Sequence, residues 1–227
     1  MGEMVTFRSN GQTADGYLAL PAAGSGPGVI VVQEWWGLVP HIVDMADRFA
    51  AEGFVALAPD LYHGERATGP DEAKRLMMSM DMGRAARDLG GGVQLLLDHP
   101  AVTAGPVGVV GFCLGGGLAL FLASVRPEVE AAVTYYGVLR GAQPDLRQVR
   151  AEVLGHFGEE DGSISAELRD RLLGQLRDAG VKATFHVYPA GHAFANDTRP
   201  EAHAPGPARE AWDRTVAFLA ERLGRRG

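Results

Sequence analysis

One cysteine, one aspartate and one histidine in this 227-residue chain have the types and the order needed to attack a carbonyl group. Cys113, the only cysteine, stands in "VVGFCLGGG", where a hydrophobic run stops and a cluster of glycines begins. The apolar stretch "VGVVGF" reads as a strand and "LGGGLALFLASV" as a helix, with no loop between them. So abrupt a turn strains its central residue, and the side chains around it must be small. Gly111 and Gly115 flank Cys113 two residues away on each side, the G-x-nucleophile-x-G pattern with cysteine in the place serine usually holds. Such a turn lifts the sulfur above the sheet edge at the amino end of the following helix. Two plainer readings compete. Cys113 can be a small buried hydrophobe between glycines that let strand and helix pack closely. The stretch can also be a phosphate-binding loop, but it lacks Lys-Ser/Thr and does not fit G-x-G-x-x-G.

The partners decide between them. An elbow nucleophile is followed in the chain by its acid and then by its histidine. Asp161 lies 48 positions after Cys113 in the acidic turn ending "AEVLGHFGEEDGS", and His192 lies 31 further on in "KATFHVYPAGHAF". Each follows a predicted strand, at the carboxyl end where open α/β sheets place their sites. His192 can accept the thiol proton and Asp161 can orient the ring. Glu159 and Glu160 compete with Asp161, and order and spacing favour Asp161. Among the other histidines, His156 and His186 are expected to be packed in mid-strand, and His41, His99 and His203 lie at helix edges or in loops. His63 alone is a further candidate, as a substrate contact in the polar segment 61–72, which is a candidate mobile lid.

The elements that must position these residues alternate along the chain. "MVTFRS" and "GYLALP" read as strands joined by the turn "NGQTADG". "GVIVVQE", "FVALAP", "VGVVGF", "AAVTYYG", "AEVLGHFG" and "KATFHVYP" follow as further strands. Between and after them lie helical patterns: "HIVDMADRFAAEG", "DEAKRLMMSM", "GRAARDLGGGVQLLLDH", "GLALFLASV", "SAELRDRLLGQLRDAG" and "AREAWDRTVAFLAERL". Strand–helix alternation requires crossovers, so the fold class is α/β, with a mostly parallel sheet between two helical layers. The length suits one domain over residues 1–227.

Composition narrows the partners. Hydrophobic residues make up 46% and charged residues 22%, as in globular domains, and the net charge of −7 disfavours nucleic acid and anionic membranes. A lone cysteine excludes an internal disulfide and a CxxC zinc site, so no metal is expected. No secretory signal is visible, and no apolar run approaches the ~20 residues that span a bilayer. A cytoplasmic protein acting on a small molecule is the expectation, with its oligomeric state unspecified.

Four segments together, "GFCLGG", "QEWWG", "APDLYHG" and "GHAFANDTRP", resemble the dienelactone hydrolase family of the α/β-hydrolase fold, and the likeness runs from "GYLALP" to "AWDRTVAFL". The resemblance places Cys113, Asp161 and His192 on the family's triad. It places Glu34 beside the nucleophile, where a carboxylate disfavours a thiolate and limits its oxidation until substrate arrives. It implies an oxyanion hole from the backbone N–H groups of Leu114 and Trp35, and a pocket walled by Trp35, Trp36, Tyr136 and Phe194. Family members that cleave dienelactone carry an arginine four residues after the catalytic histidine to grip the substrate carboxylate; here that position is Asn196, which cannot form the same ion pair, and Arg199 nearby in sequence is the candidate substitute. The implied activity is therefore hydrolysis of a small ester or lactone through a cysteinyl thioester, without a cofactor. A thioesterase or acyl transferase with the same triad, and a binding protein that has lost turnover, are the rival readings.

Overall fold

Five of the strands are apolar enough to be covered on both faces, and that dictates the layering. In the computed structural model, which describes residues 2–103, 105–138 and 144–224, eight strands form one sheet in the order β1-β2-β4-β3-β5-β6-β7-β8. The strands are β1 (Glu3–Ser9), β2 (Gln12–Ala19), β3 (Gly28–Val32), β4 (Val55–Pro59), β5 (Val107–Phe112), β6 (Val129–Tyr135), β7 (Glu152–Gly158) and β8 (Ala183–Tyr188). Strands β3 to β8 run parallel, while β2 pairs antiparallel with both β1 and β4. Every residue of β3, β4 and β5 is buried, as continuous Val/Ile/Leu/Ala runs require in a covered parallel sheet.

Six helices provide the cover: α1 (Pro40–Ala51), α2 (Pro70–Ser79), α3 (Met82–Asp98), α4 (Leu114–Val125), α5 (Ala166–Asp178) and α6 (Pro205–Arg222). The apolar stripes of α3, α4 and α5 form one core with one face of the sheet. Ile42, Met45 and Phe49 of α1, with Ala211 and Leu219 of α6, form the other. The chain leaves β3 through α1 to β4, then crosses back through α2 and α3 to β5 on the far side of β3. Neighbouring strands whose connections depart to opposite sides open a crevice at their carboxyl ends, and that is where such sheets hold ligands.

One local feature differs from the sequence expectation. The β1–β2 turn is only Asn10–Gly11, with φ of 45° and 84°, and β2 begins at Gln12. Asn-Gly is the pair a two-residue hairpin prefers, so the polar stretch before Gly16 is strand and not turn. Helix α3 runs unbroken through Gly90–Gly92, as its sequence pattern predicts, and a Cβ on Gly91 would collide with the Arg8 carbonyl oxygen. Gly91 lets α3 pack against β1, and Gly92 lets it pack against Ile30 of β3 and Leu57 of β4. Of the strand histidines, His156 is fully buried, whereas His186, on edge strand β8, is partly exposed.

Candidate active site

Residues that follow five parallel strands converge above the sheet. Glu34 and Trp35 follow β3, Cys113 follows β5, Tyr136 follows β6, Asp161 follows β7 and His192 follows β8. Cys113 sits between β5 and α4 with φ 53° and ψ −114°, a conformation an L residue holds only when its surroundings enforce it. The enforcement is steric. A Cβ on Gly111 would collide with the carbonyl oxygen of Gly115, and one on Gly115 with those of Val32 and Gln33. The Cys113 amide donates to the Tyr135 carbonyl at 3.0 Å, and the Cys113 carbonyl accepts from Gly116 N at 3.0 Å.

The sulfur meets His192. Nε2 of the ring lies 3.2 Å from Cys113 Sγ, and Nδ1 lies 2.7 Å from Oδ2 of Asp161. The other Asp161 oxygen accepts from the backbone N–H groups of Ser163 (2.7 Å) and Ile164 (2.9 Å). Burial of Asp161 would raise its pKa, but the His192 hydrogen bond and these two amides outweigh it and hold the carboxyl below its ordinary value. Burial alone would likewise discharge His192; the hydrogen bonds and negative charges of Asp161 and Cys113 reverse that and raise its pKa to about 10. The arrangement therefore favours an imidazolium as soon as the sulfur gives up its proton.

Glu34 is 1% exposed, and burial raises its pKa despite opposing pulls from Asn196, His192 and Arg199. Its Oε2 accepts from Nδ2 of Asn196 at 2.9 Å. Asn196 is in turn fixed by Thr198, whose N–H (3.1 Å) and hydroxyl (2.6 Å) both donate to Oδ1. Tyr136, with φ 40°, packs its ring 5.1 Å from that of His192.

A cavity of about 230 Å³ opens over the sulfur. Glu34, Trp35, Trp36, Cys113, Leu114, Tyr136 and His192 all border it. Three of the substrate-contact candidates from the sequence do not. Phe194 is fully buried behind Tyr136, 5.4 Å between ring centroids. Asn196 spends its side chain on Glu34 and Thr198, not on the cavity. His63 turns away, with Nε2 3.2 Å from the buried carboxylate of Asp88 on α3. Segment 61–72 is itself tied down. Asp60 accepts from the amides of Tyr62 and Gly64, the Ala67 amide donates to Trp36 O, and Tyr62 and Ala67 are buried against Trp35 and Trp36. It buttresses the wall, while Met77 of α2 and Met82 of α3 reach the cavity. Arg199, the cation near Asn196 in sequence, does border the cavity, whereas those methionines and the Ser163–Ile164 turn were not singled out from the sequence. Among the described residues, no three His, Cys, Asp or Glu side chains gather as metal ligands would, and no helix is long and apolar enough to cross a membrane.

A nucleophile elbow after the central strand, with an acid and a histidine after two later parallel strands, defines the α/β-hydrolase class. The family model of the dienelactone hydrolase family matches residues 14–223. The chain is 37% identical to Protein usf of Aquifex pyrophilus over 98% of its own length and 100% of the relative's. It is 34% identical to a provisionally named carboxymethylenebutenolidase of Aquifex aeolicus, over 96% and 98% of the two chains. A crystal structure of a provisionally named dienelactone hydrolase from Klebsiella pneumoniae superposes with a TM-score of 0.88 at 32% identity, covering 97% of this chain and 98% of that one. The chain belongs to the dienelactone hydrolase family.

Proposed function

We propose that this protein hydrolyses small carboxylic esters or lactones, with Cys113 as nucleophile, His192 as general base and acid, and Asp161 as the group that orients and charges the ring. The observation that carries the reading is the continuous contact from Asp161 Oδ2 through His192 to Cys113 Sγ, at 2.7 and 3.2 Å, opening on a cavity. Family membership supports the hydrolytic class: the enzyme is a carboxylic ester hydrolase of the dienelactone hydrolase type.

The chemistry runs in two halves. Sγ gives its proton to Nε2 of His192 and attacks the carbonyl carbon, and the carbonyl electrons move onto oxygen. Backbone N–H groups of Leu114 and Trp35 hold that oxyanion. Collapse breaks the bond to the alkoxide, which takes the proton from His192, leaving a thioester on Cys113. His192 then removes a proton from water, the hydroxide attacks the thioester, and the sulfur departs and takes that proton back from His192 as the acid is released. Glu34 borders the same cavity, and a carboxylate there opposes negative charge on the resting sulfur, which restrains its oxidation.

Hydrolysis of p-nitrophenyl acetate by the wild-type protein and by Cys113→Ala tests the assignment. Saturable turnover lost in the variant is the expected result. Equal turnover by the variant would return Cys113 to the role of a packed hydrophobe. Product analysis with added alcohol separates hydrolysis from acyl transfer.

A further inference from the structure

We infer that the acyl part of the preferred substrate is a short, uncharged, apolar chain laid along helix α4; the inference deepens the hydrolase reading and rests on it. Once the alcohol has left, the acyl group stays bonded to Cys113, so its chain must occupy whatever space continues from the thioester carbon. Leu114, assigned to the oxyanion hole, is the first residue of α4. Leu118 and Phe121 follow it at i+4 and i+7 on the same face of that helix, and both line the cavity. Met77, Met82 and Val138 close it with further apolar surface. At about 230 Å³ the space falls below the range of roughly 300–1,000 Å³ typical of drug-sized ligands, which suits a short chain.

Charge points the same way. Arg199 borders the cavity, with its guanidinium stacked 5.2 Å from the Trp36 ring centroid. Its Nε and Nη2 both point to Oε1 of Glu201, at 2.9 and 2.8 Å. That cation is already matched by a carboxylate within the same turn. Glu34, a buried carboxyl group that also borders the cavity, offers no positive charge to a second anion. An anionic acyl chain would exchange water for apolar walls, and Arg199, the arginine that borders the cavity, is already engaged by Glu201.

The test compares two aryl esters of equal acyl length, p-nitrophenyl hexanoate and the mono-p-nitrophenyl ester of adipic acid, with spontaneous hydrolysis subtracted. Wild-type kcat/KM is expected to be at least tenfold higher for the hexanoate. Glu201→Gln, which releases Arg199, is expected to narrow that ratio at least threefold by raising the rate on the adipate ester. Equal or faster wild-type hydrolysis of the adipate ester overturns the inference while leaving the hydrolase reading intact. A ratio unmoved by Glu201→Gln overturns the part given to the Arg199–Glu201 pair. Failure of the folded protein to cleave either ester overturns the hydrolase reading and the inference with it.

Discussion

Two histidines, His156 and His192, each have both ring nitrogens within hydrogen-bonding distance of a partner, and only one is set up for chemistry. His156, within β7, is fully buried; its Nδ1 meets the Tyr188 hydroxyl at 2.9 Å and its Nε2 the Thr215 hydroxyl at 3.0 Å. His192, just past β8, faces a carboxylate and a thiol at the mouth of a cavity. Burial acts on both rings in the same direction. Around His156 nothing opposes it, and the neighbouring His186 and Arg214 add to it, so the ring stays neutral. Around His192, Asp161 and Cys113 reverse it. The lesson is that burial sets the cost of charging an imidazole and the partners decide whether that cost is met. Hydroxyl partners make a structural strut, whereas a carboxylate and a thiol make a base.

The largest expected effect breaks the comparison by exchanging roles. His192→Asn removes the general base and should lower kcat/KM by about 10²–10⁴-fold in protein that remains folded. His156→Asn leaves the Thr215 and Tyr188 hydroxyls short of a partner and should cost about 1–3 kcal/mol of stability, read by denaturant unfolding. Its folded fraction should keep activity near wild type. If both variants lost activity equally while remaining folded, the distinction between strut and base would fail. Asp161→Asn comes next. The amide can still be held by the amides of Ser163 and Ile164 but cannot stabilise an imidazolium, so activity should drop by about 10²-fold or more and the structure should persist.

The pH dependence of stability sharpens the contrast further. Unfolded histidines take up protons as pH falls below about 6.5, while buried His156 and His41 do not. The unfolded state then binds more protons, so stability must fall with pH. For His41, 2% exposed and held at about 4, the loss runs from pH 6.5 down to about 4 and totals about 3 kcal/mol. His192 has the opposite sign. Its folded pKa of about 10 lies above the unfolded value, so its contribution is complete below pH 6.5 and fades as pH rises toward 10. Chemical unfolding across pH 4–10 should therefore show an acid limb flattened by His41→Phe and an alkaline limb flattened by His192→Asn. The smallest expected effect is at His63. His63→Ala should leave kcat/KM within twofold and cost no more than about 1 kcal/mol, because the ring lies outside the cavity and its pair with Asp88 is partly exposed.

Much of this architecture could be read before any coordinates. Runs such as "GVIVVQE" and "VGVVGF" are too uniformly apolar for anything but covered strands, and their alternation with amphipathic helices fixes the crossovers. The elbow was legible because its strand–Cys–helix pattern is local, and Gly111 is demanded by the Gly115 carbonyl four positions away, although Gly115 itself answers to Val32 and Gln33 on β3 and just after it. What stayed hidden depended on where side chains turn in space. Asn196 stands four residues after His192, yet the fold aims it at Glu34. Phe194 reads as a pocket aromatic, but it lies behind Tyr136. His63 sits in a loop with functional composition, but Asp88, which it meets across 25 residues of sequence, decides its direction. Met77 and Met82 reach the cavity only because α2 and α3 pack as they do, and no local pattern announces that.

The account stands or falls on the identity of the nucleophile, and mass spectrometry tests it most directly. Wild-type protein mixed with p-nitrophenyl acetate, quenched in acid during the first turnovers and digested, should carry an acetyl group on the peptide containing Cys113. The adduct should disappear as substrate is exhausted and be absent from Cys113→Ala. Turnover with the acetyl group on another residue, or undiminished in Cys113→Ala, would contradict the thioester route and the role of the elbow.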